Sequence, residues 1–190
     1  MRFKILSVTI LSICSLAYGQ NQSSHRSGLF FGNSIGISRT SHHFPYDSQI
    51  NSDLALEAKI GYFIKPDFAL TLITNPSIYN YNGSNRERKR EFGVLAASAQ
   101  YWFGSKKTWI LGGIGLGVDA PVFYDVKPEG DGETKYFTGF GFVSSIGYEF
   151  YKWKKLVFDA EARVTYRNVE MEEGKTTGTS IALLLGFNFY

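Results

Sequence analysis

Cysteine is almost absent from this 190-residue sequence, because its single copy, Cys14, lies near the N terminus. A chain that begins after that residue forms no disulfide, no thiolate metal site and no cysteine nucleophile. Long apolar runs are also scarce. Beyond residue 19 no stretch approaches the ~18 residues of a membrane-spanning helix, and the longest candidate, residues 109–118, contains four glycines. If the protein crosses a membrane, it must therefore do so with strands.

An excess of charge of either sign is missing as well. Lysine and arginine total 20 against 17 acidic residues, and two of the basic residues, Arg2 and Lys4, belong to the N-terminal segment. Without them the net charge falls from +3 to +1, because 18 basic residues then face 17 acidic ones. A balance this close to neutral argues against a nucleic-acid-binding protein.

The N terminus has the pattern of an export signal. Arg2 and Lys4 precede an apolar stretch over residues 5–16, and Ala17, Tyr18 and Gly19 form a small-x-small cleavage site. Ile13 precedes Cys14, which is not the small residue that lipoprotein processing requires. The sequence predicts a cleaved signal peptide over residues 1–19, a short periplasmic segment over 20–27, and one domain over 28–190.

The apolar and polar residues of that domain alternate in the opposite sense to a water-soluble barrel. In residues 156–166, one parity carries Phe158, Ala160, Ala162, Val164 and Tyr166, and the other carries Asp159, Glu161, Arg163 and Thr165. No soluble core would hold a row of charged residues without a heavy desolvation cost. The pattern indicates that the apolar face meets lipid and the charged face lines a lumen.

Eight segments carry such alternation, at residues 29–38, 54–64, 68–74, 92–103, 108–119, 136–150, 156–166 and 179–189. The connections alternate between short turns (65–67, 104–107, 151–155) and long polar loops (39–53, 75–91, 120–135, 167–178). These features predict an all-β, eight-stranded antiparallel up-and-down transmembrane β-barrel with a periplasmic short-turn rim and four long extracellular loops. A soluble barrel of lipocalin type is the alternative.

Aromatic and lysine side chains cluster beside the short turns. The aromatic residues are Tyr62, Phe63, Tyr101, Trp102, Phe103, Trp109, Phe150, Tyr151 and Trp153, and the lysines are Lys65, Lys106, Lys107, Lys152, Lys154 and Lys155. The aromatic rings are predicted to form a belt at the membrane interface, with the lysines reaching toward the headgroups of the inner leaflet.

The chain resembles the small outer-membrane barrels of the OmpX and OmpA transmembrane type. The resemblance covers the mature chain as a pattern, and its most specific part is the aromatic-ended final segment, residues 183–190, with Phe187 and Phe189 in alternation. It implies a location in the outer membrane, recognition of the last strand by the barrel-assembly machinery, and a non-catalytic structural or surface-binding role through the loops.

Two groups of charged residues are candidate sites. The predicted lumen contains Glu57, Lys59, Glu149, Asp159, Glu161 and Arg163, with Lys59 and Glu161 at similar height above the rim. They are expected to form structural ion pairs, or alternatively a proton or ion path or a polar ligand site. The second loop contains Arg86, Arg88, Lys89 and Arg90, which would contact lipopolysaccharide phosphates. Its alternative is a solvated loop with internal pairing to Glu87 and Glu91.

Two other function classes remain open. Small residues on the luminal parity (Gly113, Gly115, Gly117, Gly139, Gly141 and Gly147) would leave space for a narrow pore or a transporter of small or apolar solutes. Ser41, His42 and His43 place a hydroxyl beside two imidazoles, as a lipid A-modifying hydrolase requires, although such an enzyme also needs an acid to orient the histidine. The preferred prediction is no catalysis, no cofactor, no metal and no nucleic acid, with outer-membrane lipids, lipopolysaccharide and an unknown extracellular ligand as partners.

Overall fold

The computed structural model describes residues 26–82, 87–103, 106–122, 136–171 and 174–190. The predicted signal peptide, most of the segment 20–27 and most of the third long loop lie outside the described residues. The part of the chain that is described contains no helix long and apolar enough to cross a membrane.

The described chain is a closed antiparallel sheet. Its strands are β1 (Gly28–His43), β2 (Ser48–Lys65), β3 (Phe68–Thr74), β4 (Ser77–Asn82), β5 (Glu87–Phe103), β6 (Thr108–Pro121), β7 (Phe137–Trp153), β8 (Leu156–Met171) and β9 (Gly174–Phe189). Strands that are neighbours in sequence pair with each other, except that β3 and β4 each pair with β2 and β5, and β1 closes the ring by pairing with both β2 and β9. Since β3 and β4 share one position between β2 and β5, the ring has eight strand positions, which confirms the predicted fold.

The break between β3 and β4 falls at Asn75 and Pro76. Proline has no backbone N–H and cannot continue a strand ladder on both edges. Two hydrogen bonds bridge the break, one from Val94 N to Asn75 Oδ1 at 2.9 Å and one from Leu56 N to Pro76 O at 2.9 Å. The barrel wall therefore stays continuous at this height despite the interrupted strand.

The burial pattern confirms the inverted alternation. Ile37 is 71% exposed and Leu183 61% exposed on the outer face, whereas Asp159 and Arg163 are each 1% exposed on the inner face. The predicted outward positions of all eight segments lie on this outer face. An apolar exterior around a charged interior contradicts the lipocalin-like alternative and fits a barrel that spans a membrane.

The strands are longer than predicted, and three of the predicted long loops (39–53, 75–91 and 167–178) are mostly strand. The ladder of β1 and β2 continues to the pair His43 and Ser48, and that of β8 and β9 to Met171 and Gly174. A strand needs only ~9–11 residues to span a bilayer. The predicted segments are the membrane-spanning parts, because the apolar parity stops at the membrane boundary while the backbone ladder continues above it.

Three members of the predicted aromatic belt lie inside the barrel instead. Phe63 is 5% exposed and Trp102 and Trp109 are 0% exposed, and they pack in one cluster with Phe30. The prediction was wrong for these three because it relied on nearness to the turns. Trp102 lies between the outward Tyr101 and Phe103, so strand alternation directs it inward.

Candidate functional site

Three of the six predicted luminal charges come together at mid-height. Glu57 accepts a hydrogen bond from Arg163 Nη1 at 2.9 Å, and its other oxygen lies 3.2 Å from Lys59 Nζ. Lys59 Nζ also lies 4.6 Å from the centre of the Trp109 ring. All three charged side chains are buried. One carboxylate thus balances two cations in a low-dielectric interior, where each charge depends on its partners.

Asp159 and Glu161 also lie in the lumen, but they are not part of the cluster of Glu57, Lys59 and Arg163. Asp159 accepts a hydrogen bond from Asn188 Nδ2 at 2.8 Å. Glu161 is 3% exposed, and neither of its carboxylate oxygens accepts a hydrogen bond from a described residue. Although Lys59 and Glu161 were predicted at similar height, the Lys59 ammonium pairs with Glu57.

Glu149, the sixth predicted charge, lies apart from the others at the short-turn end. It accepts hydrogen bonds from Arg26 Nη2 at 2.7 Å, from Trp102 Nε1 at 2.6 Å and from the Tyr190 hydroxyl. The Arg26 guanidinium lies 4.8 Å from the centre of the Trp102 ring. These contacts, with the rings of Phe30 and Phe63, form a floor of packed side chains across the lumen.

A second buried charge cluster lies toward the end of the barrel opposite the short turns. The carboxylate of Asp119 pairs with the guanidinium groups of Arg90 and Arg167 and accepts a hydrogen bond from the Tyr79 hydroxyl at 2.6 Å. Arg167 also lies 4.5 Å from the centre of the Phe92 ring and donates to Val118 O at 2.7 Å. Sequence analysis missed this cluster, although Arg167 continues the luminal parity of Glu161, Arg163 and Thr165.

Of the four residues predicted to contact lipopolysaccharide, only Lys89 and Arg90 have described side chains. Arg86 lies outside the described residues, as does the side chain of Arg88, while Lys89 is half-buried. Arg90 is 2% exposed and points into the lumen toward Asp119. For Arg90 the expected surface contact is therefore corrected, because β5 begins at Glu87 and its alternation directs residue 90 inward.

The histidines do not form a hydrolase site with the neighbouring serine. His42 is buried, with its ring centre 4.0 Å from that of Tyr79, while Ser41 has the opposite strand parity. A nucleophile and its base must lie within hydrogen-bond reach of each other. Within the described ranges, no group of three or more histidine, cysteine or acidic side chains is arranged to hold a metal ion.

Three of the six predicted luminal glycines, Gly117, Gly141 and Gly147, lie against larger side chains. A Cβ atom at Gly147 would lie 2.1 Å from the Trp109 ring, one at Gly141 would lie 2.7 Å from Val94, and one at Gly117 would lie 2.8 Å from Arg167 Cβ. The expectation of free space is therefore wrong at these three positions. An eight-stranded barrel has an interior just wide enough for side chains to fill, and these glycines are where the large ones fit.

We expect Gly147→Ala to destabilise the barrel by about 1–3 kcal/mol, because the added methyl group displaces the Trp109 ring in a packed interior. Gly112→Ala is the matched control, since no atom lies within 4 Å of its added Cβ. Urea unfolding in lipid vesicles, followed by tryptophan fluorescence, measures both. Equal unfolding midpoints for the two variants would contradict the packed-lumen description.

An exposed ion pair joins two of the short turns, with Lys106 Nζ of the β5–β6 turn 2.7 Å from Asp67 Oδ2 of the β2–β3 turn. The hydrogen bond from Lys106 lowers the pKa of the Asp67 carboxyl below its ordinary value. Its small stabilising contribution is therefore present above the ordinary carboxyl pKa and is lost as the pH falls through the lowered value. In an NMR titration, Lys106→Gln should move the Asp67 midpoint upward, and an unchanged midpoint would show that the pair does not persist.

Comparison with solved structures identifies the architecture. Neisserial surface protein A is similar over 85% of this chain and 98% of its own, at 16% identity and a TM-score of 0.59. Ail, the attachment invasion locus protein of Yersinia pestis, is similar over 86% of this chain and all of its own, at 13% identity and a TM-score of 0.54. No protein-family model and no curated protein matches the sequence.

These neighbours share the fold, and the apolar outer belt described above is the property that a membrane-embedded barrel requires. Together the two observations support a location in the outer membrane. The chain has the eight-stranded fold of the small OmpX-like outer-membrane β-barrel proteins.

Proposed function

We propose that this protein is a non-catalytic surface-binding barrel, exported by its N-terminal segment and held in the outer membrane. Its binding element is the part of the sheet that rises above the bilayer. Since β2 has 18 residues and ~9–11 are enough to span, residues 48–54 project beyond the membrane on the side opposite the short turns.

The observation that carries this proposal is an incomplete strand edge. β1 pairs with β2 along residues 48–53, but on the other edge of these residues the described part of the chain provides no ladder pair, and the nearest one is the bridge between Ala55 and Ser77. A strand with an unpaired edge offers a row of backbone donors and acceptors to an extended polypeptide.

The outward side chains of this edge add apolar contact area. Ile50 is 62% exposed and Leu54 37% exposed, and Tyr46 in the connection between β1 and β2 is 54% exposed. Exposed apolar residues above the membrane level are a feature of binding surfaces. The combination fits recognition of an extended protein segment on another molecule.

A cell-attachment experiment tests the proposal. Cells that display the protein should bind immobilised casein, a disordered polypeptide used as the extended-segment probe, several-fold more than cells without it. Ile50→Lys places a charge on the free edge and should remove the increase. Thr179→Lys is the control, because Thr179 is exposed on a strand paired on both sides.

Equal attachment with and without the protein would contradict the proposed role, and equal attachment of the two lysine variants would contradict the proposed binding edge.

Two measurements test the two alternative functions, a pore and a lipid A-modifying enzyme. Steady single-channel conductance would favour a pore, and an altered lipid A mass spectrum in cells carrying the protein would favour an enzyme.

We also propose lipopolysaccharide as a partner of the connection between β4 and β5, through Arg86, Arg88 and Lys89. Arginine binds phosphate groups bidentately. Ail has been solved with the heparin analogue sucrose octasulfate, which makes that polyanion a convenient probe here. Arg86→Gln with Arg88→Gln should reduce the thermal stabilisation that lipopolysaccharide gives the reconstituted barrel.

During biogenesis, the barrel-assembly machinery is proposed to recognise residues 183–189 of the last strand.

A further inference from the structure

The rim formed by the short turns is strongly cationic. Six lysines lie in or beside these turns, at Lys65, Lys106, Lys107, Lys152, Lys154 and Lys155, and the only acid in the turn sequences is Asp67. The chain as a whole is close to neutral, so this charge is concentrated at one end of the barrel. In barrels of this fold the short-turn rim faces the periplasm.

A cavity of about 600 Å³ opens in this rim beside the end of β7. Lys106, Lys107 and Lys152 line it together with Phe150 and Tyr151. Lys106 is paired with Asp67, and Arg26, which also lines the cavity, is paired with Glu149. Lys107 and Lys152 are exposed, and no acid among the described residues lies within ion-pair distance of either.

The wall of the cavity toward the membrane is aromatic because of a β-bulge. The register of β7 against β8 shifts between Glu149 and Tyr151, which leaves Phe150 unpaired. As a result two consecutive aromatic residues are exposed, Phe150 by 51% and Tyr151 by 58%. Bulges re-aim side chains in this way, and aromatic rings prefer the interface between headgroups and hydrocarbon.

We propose that this rim cavity binds the headgroup of an anionic phospholipid from the periplasmic leaflet. The phosphate contacts Lys107 and Lys152, and Phe150 and Tyr151 pack against the glycerol and the first part of the acyl chains. The aromatic wall selects a lipid over a free anion, since a soluble phosphate would gain nothing from it. Anionic headgroups attract basic residues placed at the membrane surface.

The test uses the full mature barrel reconstituted in phosphatidylcholine nanodiscs that contain a minor fraction of phosphatidylglycerol. Native mass spectrometry after detergent release counts the phosphatidylglycerol molecules that remain bound. Each lysine is worth about a five-fold factor at an anionic surface, so Lys107→Gln with Lys152→Gln should lower retention about 25-fold. The pair Arg39→Gln and Lys175→Gln removes two exposed cations from the opposite half of the barrel and should leave retention unchanged.

Heat-modifiable gel mobility establishes that every variant is folded, and Lys107→Arg with Lys152→Arg should retain the lipid. Equal retention by the wild type and the glutamine pair would overturn the proposal. So would complete displacement of the lipid by inorganic phosphate at equal concentration, because that result would identify a soluble-anion site. A much weaker effect of phosphate, together with loss in the glutamine pair alone, would support a phospholipid site.

Discussion

Replacing Asp119 with alanine is expected to lower the free energy of unfolding by about 3–5 kcal/mol. The substitution leaves the guanidinium groups of Arg90 and Arg167 without their carboxylate in a fully buried position. It also removes the acceptor of the Tyr79 hydroxyl. Urea titration of the barrel in lipid vesicles, with tryptophan fluorescence as the probe, measures the change directly.

Two further variants show whether the loss comes from unpaired charge. Glu170→Ala removes an exposed acid from the same half of the barrel and should change stability by less than about 0.5 kcal/mol. Replacing the three charges together, by Arg90→Met, Asp119→Leu and Arg167→Met, should recover much of the loss, because apolar residues of similar volume substitute well for a buried ionic cluster. A loss below about 1 kcal/mol for Asp119→Ala would contradict the described pairing.

The second large effect is expected at Glu57, at mid-height in the lumen. Glu57→Ala leaves Lys59 and Arg163 buried without their shared carboxylate, and a loss of about 3–5 kcal/mol follows. Glu57→Gln should cost less, because its carbonyl oxygen still accepts a hydrogen bond from Arg163. The same urea titration applies, at a pH where the carboxylates of the wild type are ionised.

A double-mutant cycle between Glu57 and Arg163 isolates their interaction from the other effects of each substitution. We expect a coupling energy of about 0.5–3 kcal/mol, as for residues in one ion-pair network. A cycle between Glu57 and Asp119 serves as the control, since the two carboxylates belong to separate clusters with different partners. Coupling as large in the control as in the Glu57–Arg163 cycle would mean that the substitutions disturb the whole barrel.

The membrane-spanning half of the fold could be predicted from the sequence because it obeys a single physical rule. Between lipid and lumen, alternate residues must be apolar and polar, so the parity of residues 156–166 identified both the strand and its faces. Above the membrane the outer face of a strand meets water, so its outward residues need not be apolar. The polar segments 39–43 and 174–178 carry no apolar parity, and their composition does not indicate that their backbones stay paired or that inward residues such as Thr40 and His42 are buried.

The luminal charges could be predicted only where a charged residue lies on the inward parity of a predicted strand. The pair of Glu57 with Arg163 involves two luminal charges on predicted strands, whereas Arg90 was assigned to a loop and so was placed on the surface. The position of Trp109 over Gly147 depends on packing across the lumen, which strand patterns do not encode. The incomplete edge of β2 likewise depends on where β3 is broken, and only the register of the described strands reveals it.

The most direct test of the central claim, that the barrel is inverted with its apolar face toward lipid, is single-cysteine spin labelling along residues 181–185 of the last strand. The chain after residue 19 has no cysteine of its own, so each label is unique. In lipid vesicles, labels at Ile181, Leu183 and Leu185 should collide with dissolved oxygen and avoid a water-soluble nickel complex, whereas labels at Ala182 and Leu184 should be shielded from both. Access of the nickel complex to the three odd positions would contradict the inverted barrel.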